Sequence, residues 1–331
     1  MRHCHGRFGL TSAAVLFVST LLLAALPARA QATRTFVSGL GADSGTCGRT
    51  APCRSFAYAI TQTAASGEIV VLDSAGYGSI TIAQSLTITN PGGVEAGVTA
   101  TSGANAITVN GTTPIDVTLR GLTLEGSGVG GTGVQYQATV PPAGQSPASA
   151  GTLNIVDCVV KDFTSNGIDI HPSISSGSGS IPTLSVLISG SFSLHNGAAG
   201  LAIDPAFINI LASVDVSTFS DNVTGVSLSV VESAENAVSL SFTDSHADRN
   251  TNLGITLIAG TSAIMKNSTA LYNDFGSGQD ILVSSSSLAN RLYLFNSNTI
   301  GALNIAGGTT YSDGTNNVLA LTGSLTKLNP Q

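Results

Sequence analysis

The chain has 331 residues, of which only 9% are charged, and 12 basic against 19 acidic side chains leave a formal net charge of -7. Nucleic acid is excluded as a partner, because its backbone demands a basic stripe that displaces counterions. A hydrophobic content of 42% excludes a disordered chain and suffices for a core, while 38 glycines point to many turns.

At the N-terminus, Arg2 and Arg7 precede an apolar run over 13–26 and the small-x-small sequence Ala28-Arg29-Ala30. This is the pattern of a secretory signal peptide occupying 1–30. A membrane anchor is the alternative, but the run falls short of the roughly 20 residues that a spanning helix needs. Cleavage removes Arg2, Arg7 and Arg29, taking the net charge to -10, and also removes Cys4. The mature protein is thus expected to be exported, periplasmic or extracellular, and not membrane-spanning.

A short strand over 35–37 leads into the turn-rich Gly41-Ala42-Asp43-Ser44-Gly45 and then Cys47 and Cys53. In an oxidising compartment these two cysteines are expected to form a local disulfide. A metal site is the alternative, though no histidine or second cysteine pair lies nearby. Over 54–64, Phe56, Ile60 and Ala64 recur at fourfold spacing after Pro52, which predicts a short amphipathic helix. Asp43 and Asp73 read as turn caps. This N-terminal segment spans 31–67.

From Glu68 the pattern changes to short strands over 69–72, 79–82, 85–89, 106–109 and 117–124, separated by Gly, Asn, Pro and Ser. Further on, a serine followed five residues later by an asparagine occurs four times: Ser191 and Asn196, Ser217 and Asn222, Ser245 and Asn250, Ser268 and Asn273. A glycine follows each pair, at Gly200, Gly225, Gly254 and Gly276. Repeats of this length indicate a solenoid whose coils bury their faces only by stacking. The serines and asparagines are expected to form hydrogen-bonded structural ladders where strands bend into turns. Cys158 falls in the serine column, as a buried and inert thiol. About nine coils at a rise of about 4.8 Å occupy 68–310, with 311–331 as a C-terminal tail or cap. The 54–64 helix is placed to plug the open N-terminal end.

Several segments carry a resemblance: Thr35-Phe36-Val37-Ser38-Gly39, Pro52-Cys53-Arg54-Ser55-Phe56-Ala57, Gly76-Tyr77-Gly78-Ser79-Ile80-Thr81-Ile82, Val94-Glu95-Ala96-Gly97-Val98, and Thr310-Tyr311-Ser312-Asp313-Gly314. They resemble small exported bacterial right-handed parallel β-helix proteins of the pectin-lyase-like superfamily. The resemblance implies an all-β, single-stranded right-handed parallel β-helix with three sheets around a narrow apolar core. Many members of the group have no assigned reaction. Pectate lyases and polygalacturonases share the fold, but this chain has no Asp-Asp pair, no Gly-His-Gly and no Arg-x-Lys.

Aligning coils on their glycines brings Gly133-Val134-Gln135-Tyr136, Gly167-Ile168-Asp169-Ile170-His171 and Gly200-Leu201-Ala202-Ile203-Asp204 into register. Alternation sends the aliphatic residues inward and places Asp169, His171 and Asp204 on the outer face of one sheet, with His171 and Asp204 in one column. An imidazole beside carboxylates can orient a base or hold a divalent ion. The segments 137–151 and 172–182 lengthen the same corner and are expected to wall a cleft. Lys161 reads as a surface charge. Tyr77, Tyr136, Tyr272 and Tyr293 are candidates for stacking on sugars, with Tyr77 also a turn residue over the cap. The first expectation is a non-catalytic binding or structural module for a polysaccharide or cell-envelope component, without a cofactor. The alternative is a polysaccharide lyase or glycoside hydrolase acting on an acidic polysaccharide through Asp169, His171 and Asp204, with calcium entering only there.

Overall fold

A computed structural model describes residues 31–111, 114–140, 149–174, 181–230, 237–274, 278–285 and 289–328. The signal-peptide segment with Cys4, Gly276, and the middles of the two long corner segments lie outside the described residues. Among the described residues no helix is long and apolar enough to cross a membrane.

Strands of two to nine residues, most of them alternating buried and exposed positions, find their partners one coil away. The first sheet has twelve strands from Ala32–Val37 to Leu325–Lys327, the second six from Ala75–Gly76 to Thr218–Ser220, and the third eleven, beginning at Ile80–Ile82. Strands of successive coils pair in parallel. Their crossover order gives the expected parallel β-helix, right-handed by the rule that parallel crossovers obey. Eight strands of the first sheet fall wholly within 68–308, and Thr63–Val71 runs into it. Pairing also continues beyond 310, where Thr309–Ser312 pairs with Leu325–Lys327. Within the 311–331 segment expected as a tail or cap, Ser312-Asp313-Gly314-Thr315-Asn316 is a corner between the strands Thr309–Ser312 and Asn317–Thr322.

Register fixes the core. In the first sheet Ile69, Ile88, Leu119, Ile155, Ile188, Val214, Phe242, Met265 and Leu294 stand one above another. All are buried. A file of this kind removes apolar surface from water only because every coil has a neighbour on both sides.

The helix at the N-terminal end spans Phe56–Gln62. Ser55 caps it by accepting from the Tyr58 amide, and Asp43 accepts from the amides of Arg54 and Ser55. Phe56 and Ala59 are buried, with the Phe56 ring 5.1 Å from that of Tyr77. The helix stops short of Ala64 because Thr63 begins the strand Thr63–Val71, and its hydroxyl lies 2.7 Å from that of Thr35 on the preceding rung. Asp73 accepts from the Ser38 hydroxyl and the Gly39 amide and so closes the neighbouring turn. Cys47 and Cys53 form a disulfide.

Two polar files hold the corners. At the bend from the first to the second sheet, the Cys158 amide donates to Ser191 Oγ at 3.1 Å, Ser191 to Ser217 at 3.1 Å, Ser217 to Ser245 at 3.0 Å, and Ser245 to Ser268 at 3.1 Å. Ser297 extends the file. Cys158 is buried, and burial pushes its thiol up to about 11, which leaves no reactive thiolate. At the next bend the Asn196 amide donates to Asn222 Oδ1 at 2.9 Å, Asn222 to Asn250 at 3.0 Å, and Asn250 to Asn273 at 2.9 Å. Asp280 ends this file by accepting from both the amide and Nδ2 of Asn273. The glycines of the repeat make room for it: a Cβ on Gly225 would sit 2.7 Å from Asn250 Nδ2 and 2.6 Å from the Gly254 carbonyl oxygen.

The residue before each serine and asparagine of the files is left-handed, including Gly190, Asp244, Asn267 and Asn296 at one bend and His195, Asp221, Arg249 and Tyr272 at the other, as are Asp157 before Cys158 and Asp162 before Phe163. Gly, Asn and Asp accept this region readily, but Val216 also adopts it, at φ 47°, where a β-branched side chain is strained. Val216→Asn is therefore expected to raise stability by about 1 kcal/mol, read from urea unfolding, since this side chain is 60% exposed and loses no packing. Asn250→Ala orphans the buried amide of Asn222 and should cost about 2–4 kcal/mol in the same assay.

Candidate functional site

Three rungs of the third sheet build the site. Val134–Tyr136, Ile168–Ile170 and Ala199–Ile203 pair in parallel, with Gln135 beside Asp169 and Asp169 beside Ala202. Ile168, Ile170, Leu201 and Ile203 face the core. Their burial fixes the outward direction of Asp169, because alternate residues of a strand point to opposite faces. The rungs stay aligned one residue further, since the His171 amide donates to the Tyr136 carbonyl at 2.9 Å and the Asp204 amide to the Ile170 carbonyl at 3.1 Å.

Asp169, His171 and Asp204 converge, with one ligating atom from each within 4.8 Å of the others. The direct contact of the imidazole lies within its own rung: His171 Nδ1 is 3.2 Å from Asp169 Oδ2. Column alignment alone pairs His171 with Asp204. The strand ends at Ile170, and there the side chain of His171 turns back over Asp169 while Asp204 completes the group from the next coil. Asp204 Oδ1 is buried and has no hydrogen-bond partner. Gln135 accepts from Asn105 Nδ2 at 2.6 Å on the other side of Asp169.

The electrostatics follow from this packing. The Asp169 carboxylate bonded to His171 raises the imidazole above the ordinary histidine range, with Asp204 adding to the same direction. Burial, then the charge of Asp169, raises the Asp204 carboxyl. None of the described ion pairs brings lysine or arginine to these carboxylates. Lys161 sits on the second sheet, 2.6 Å from Glu125 and 3.4 Å from Asp162.

The first residues of the two long corner segments extend the site. Thr139–Val140 pairs with Ser173–Ile174 as a small parallel sheet just past the cluster. Residues 141–148 and 175–180, on which the expected cleft depends, lie outside the described residues. A groove of about 710 Å³ occurs elsewhere, at the bend carrying the asparagine file, lined among others by Glu125, Asp162, His195 and Asp221. Tyr77 and Tyr136 are buried and offer no surface for a sugar. Tyr272 is exposed, and Tyr293 stacks on Tyr311 at 4.7 Å.

A second histidine group escapes the sequence reading. His246 Nδ1 lies 2.7 Å from Thr269 Oγ1, which also contacts the Asp248 carboxylate at 2.9 Å. His246 and Thr269 directly follow the ladder serines Ser245 and Ser268 and pair on adjacent coils, so the serine alignment carried one residue further would have revealed their contact.

No protein-family model matches the chain, and no curated protein does. Among solved structures, the pectate lyase Pel9A aligns over 90% of this chain and 78% of its own length, at 13% identity and a TM-score of 0.42. The A-module of the Azotobacter vinelandii mannuronan C-5 epimerase AlgE6 aligns over 80% of this chain and 91% of its own, at 12% identity and a TM-score of 0.38. The Dettilon tailspike protein aligns over 77% and 60%, at 11% identity and a TM-score of 0.36. Likenesses this distant assign neither substrate nor site to this chain.

His171 is expected to titrate by NMR above the ordinary histidine value. Asp169→Asn should lower its midpoint, since it removes the carboxylate that stabilises the protonated ring.

Proposed function

We propose that this protein is an exported, non-catalytic β-helix module that binds a polysaccharide or another cell-envelope component through the polar outer face around Asp169, His171 and Asp204. The observation that carries this reading is the convergence of these side chains on one rigid sheet, with a buried oxygen of Asp204 still lacking a partner. A buried acceptor left unmade is costly, so a ligand that satisfies it gains free energy on binding.

Catalysis fits this geometry less well. The Asp169 carboxylate raises the proton affinity of His171, but one polarised imidazole is not by itself an acid–base mechanism. An acid–base mechanism also needs a second group across the substrate, and the described ion pairs hold Lys161 on a different sheet. The disulfide near the N-terminus agrees with export into an oxidising compartment.

Purified mature protein, applied to immobilised acidic and neutral glycans and to envelope fractions, should show saturable retention that Asp169→Ala and Asp204→Ala weaken at least about tenfold, about 1.4 kcal/mol. The same glycans should emerge uncut. Release of unsaturated or reducing ends, abolished by these substitutions, would replace this reading with a lyase or hydrolase. Absence of retention on every glycan and envelope fraction would remove it.

A further inference from the structure

We infer that Asp169, His171 and Asp204 form a binding site for a divalent transition-metal ion of the zinc or manganese class. This rests on the same outer face as the binding reading and assigns that face a specific ligand.

The donor set is one imidazole nitrogen and two carboxylate oxygens, mutually within 4.8 Å. Mixed nitrogen and oxygen donors suit zinc and its neighbours, whereas calcium takes six to eight oxygens. The spacing also matches. Bonds of about 2.0–2.1 Å to a tetrahedral ion leave adjacent ligand atoms about 3.3–3.4 Å apart, and His171 Nδ1 is 3.2 Å from Asp169 Oδ2. Asp204 offers its ligating oxygen within 4.8 Å of both.

The unpartnered Asp204 Oδ1 is the independent sign of a ligand. Among the described ion pairs Asp169 meets only His171, and none includes Asp204. A divalent ion would supply both the charge and the missing contact, and a water or ligand oxygen would fill its remaining positions. The scaffold is preorganised for it, because the three residues are held by inter-rung backbone bonds and by four buried aliphatic side chains beneath them. The His246, Thr269 and Asp248 group provides an internal contrast: there the Asp248 carboxylate accepts from both the Thr269 hydroxyl and the Leu271 amide, which leaves no comparable demand for an ion.

The test uses full-length mature protein without a histidine tag, stripped with chelator and titrated calorimetrically with zinc, manganese and calcium chlorides. One zinc or manganese ion per chain should bind saturably and raise the melting temperature, while calcium should do neither. His171→Gln and Asp204→Asn should each weaken binding by more than the roughly 10–100-fold that loss of an outer-shell partner costs. Asp248→Asn should leave binding unchanged, and circular dichroism of each variant reports that it folds. No zinc or manganese binding, or binding unaffected by the first two substitutions in folded protein, would overturn the inference. Glycan retention by a protein that binds neither zinc nor manganese in the titration would defeat the metal site alone. Metal binding without retention on any glycan or envelope fraction would defeat the proposed function alone.

Discussion

The buried backbone amides at the corners of these coils depend on side chains of the next coil. The Ser191 amide is satisfied by Ser217, the Ser217 amide by Ser245, and the Asn196, Asn222 and Asn250 amides by the next asparagine in their file. A backbone amide buried without a partner costs about 1–3 kcal/mol, so a slip in register between two coils would forfeit bonds at two corners together. The constraint acts between neighbours, as in other stacked repeats, and makes stability a sum of interfaces along one axis.

This constraint also explains the composition. An asparagine file leaves no space beside it, so Gly167, Gly200, Gly225 and Gly254 each lie where a Cβ would press on an asparagine Nδ2 at 2.6–2.7 Å. Sharp bends without long loops require left-handed residues, which are Asp, Asn or Gly at most corners. Val216 shows that the fold tolerates an unfavourable residue there when the files on either side hold the bend.

The outer face carries no such obligation, and there the chemistry is free to differ from coil to coil. Gln135, Asp169 and Ala202 share one column although they share no chemistry. The cluster at Asp169 thus exists because a rigid frame brings unlike side chains to a spacing of one rung. Its two carboxylates and single imidazole, with one oxygen unpartnered, distinguish it from the self-satisfied group at His246 and Asp248.

The sequence alone specified the stacked architecture, because the Ser and Asn spacing and the alternation around Ile168 and Ile170 are local consequences of a buried file and a pleated strand. It also placed Asp169, His171 and Asp204 on one face, since register follows from the glycine that each coil requires. Only the tertiary structure decided that His171 contacts Asp169 in its own rung, that Asp204 keeps an unsatisfied oxygen, that Asp280 closes the asparagine file, and that pairing continues to Lys327. Those outcomes depend on side-chain rotamers and on contacts between residues distant along the chain, which periodicity does not encode.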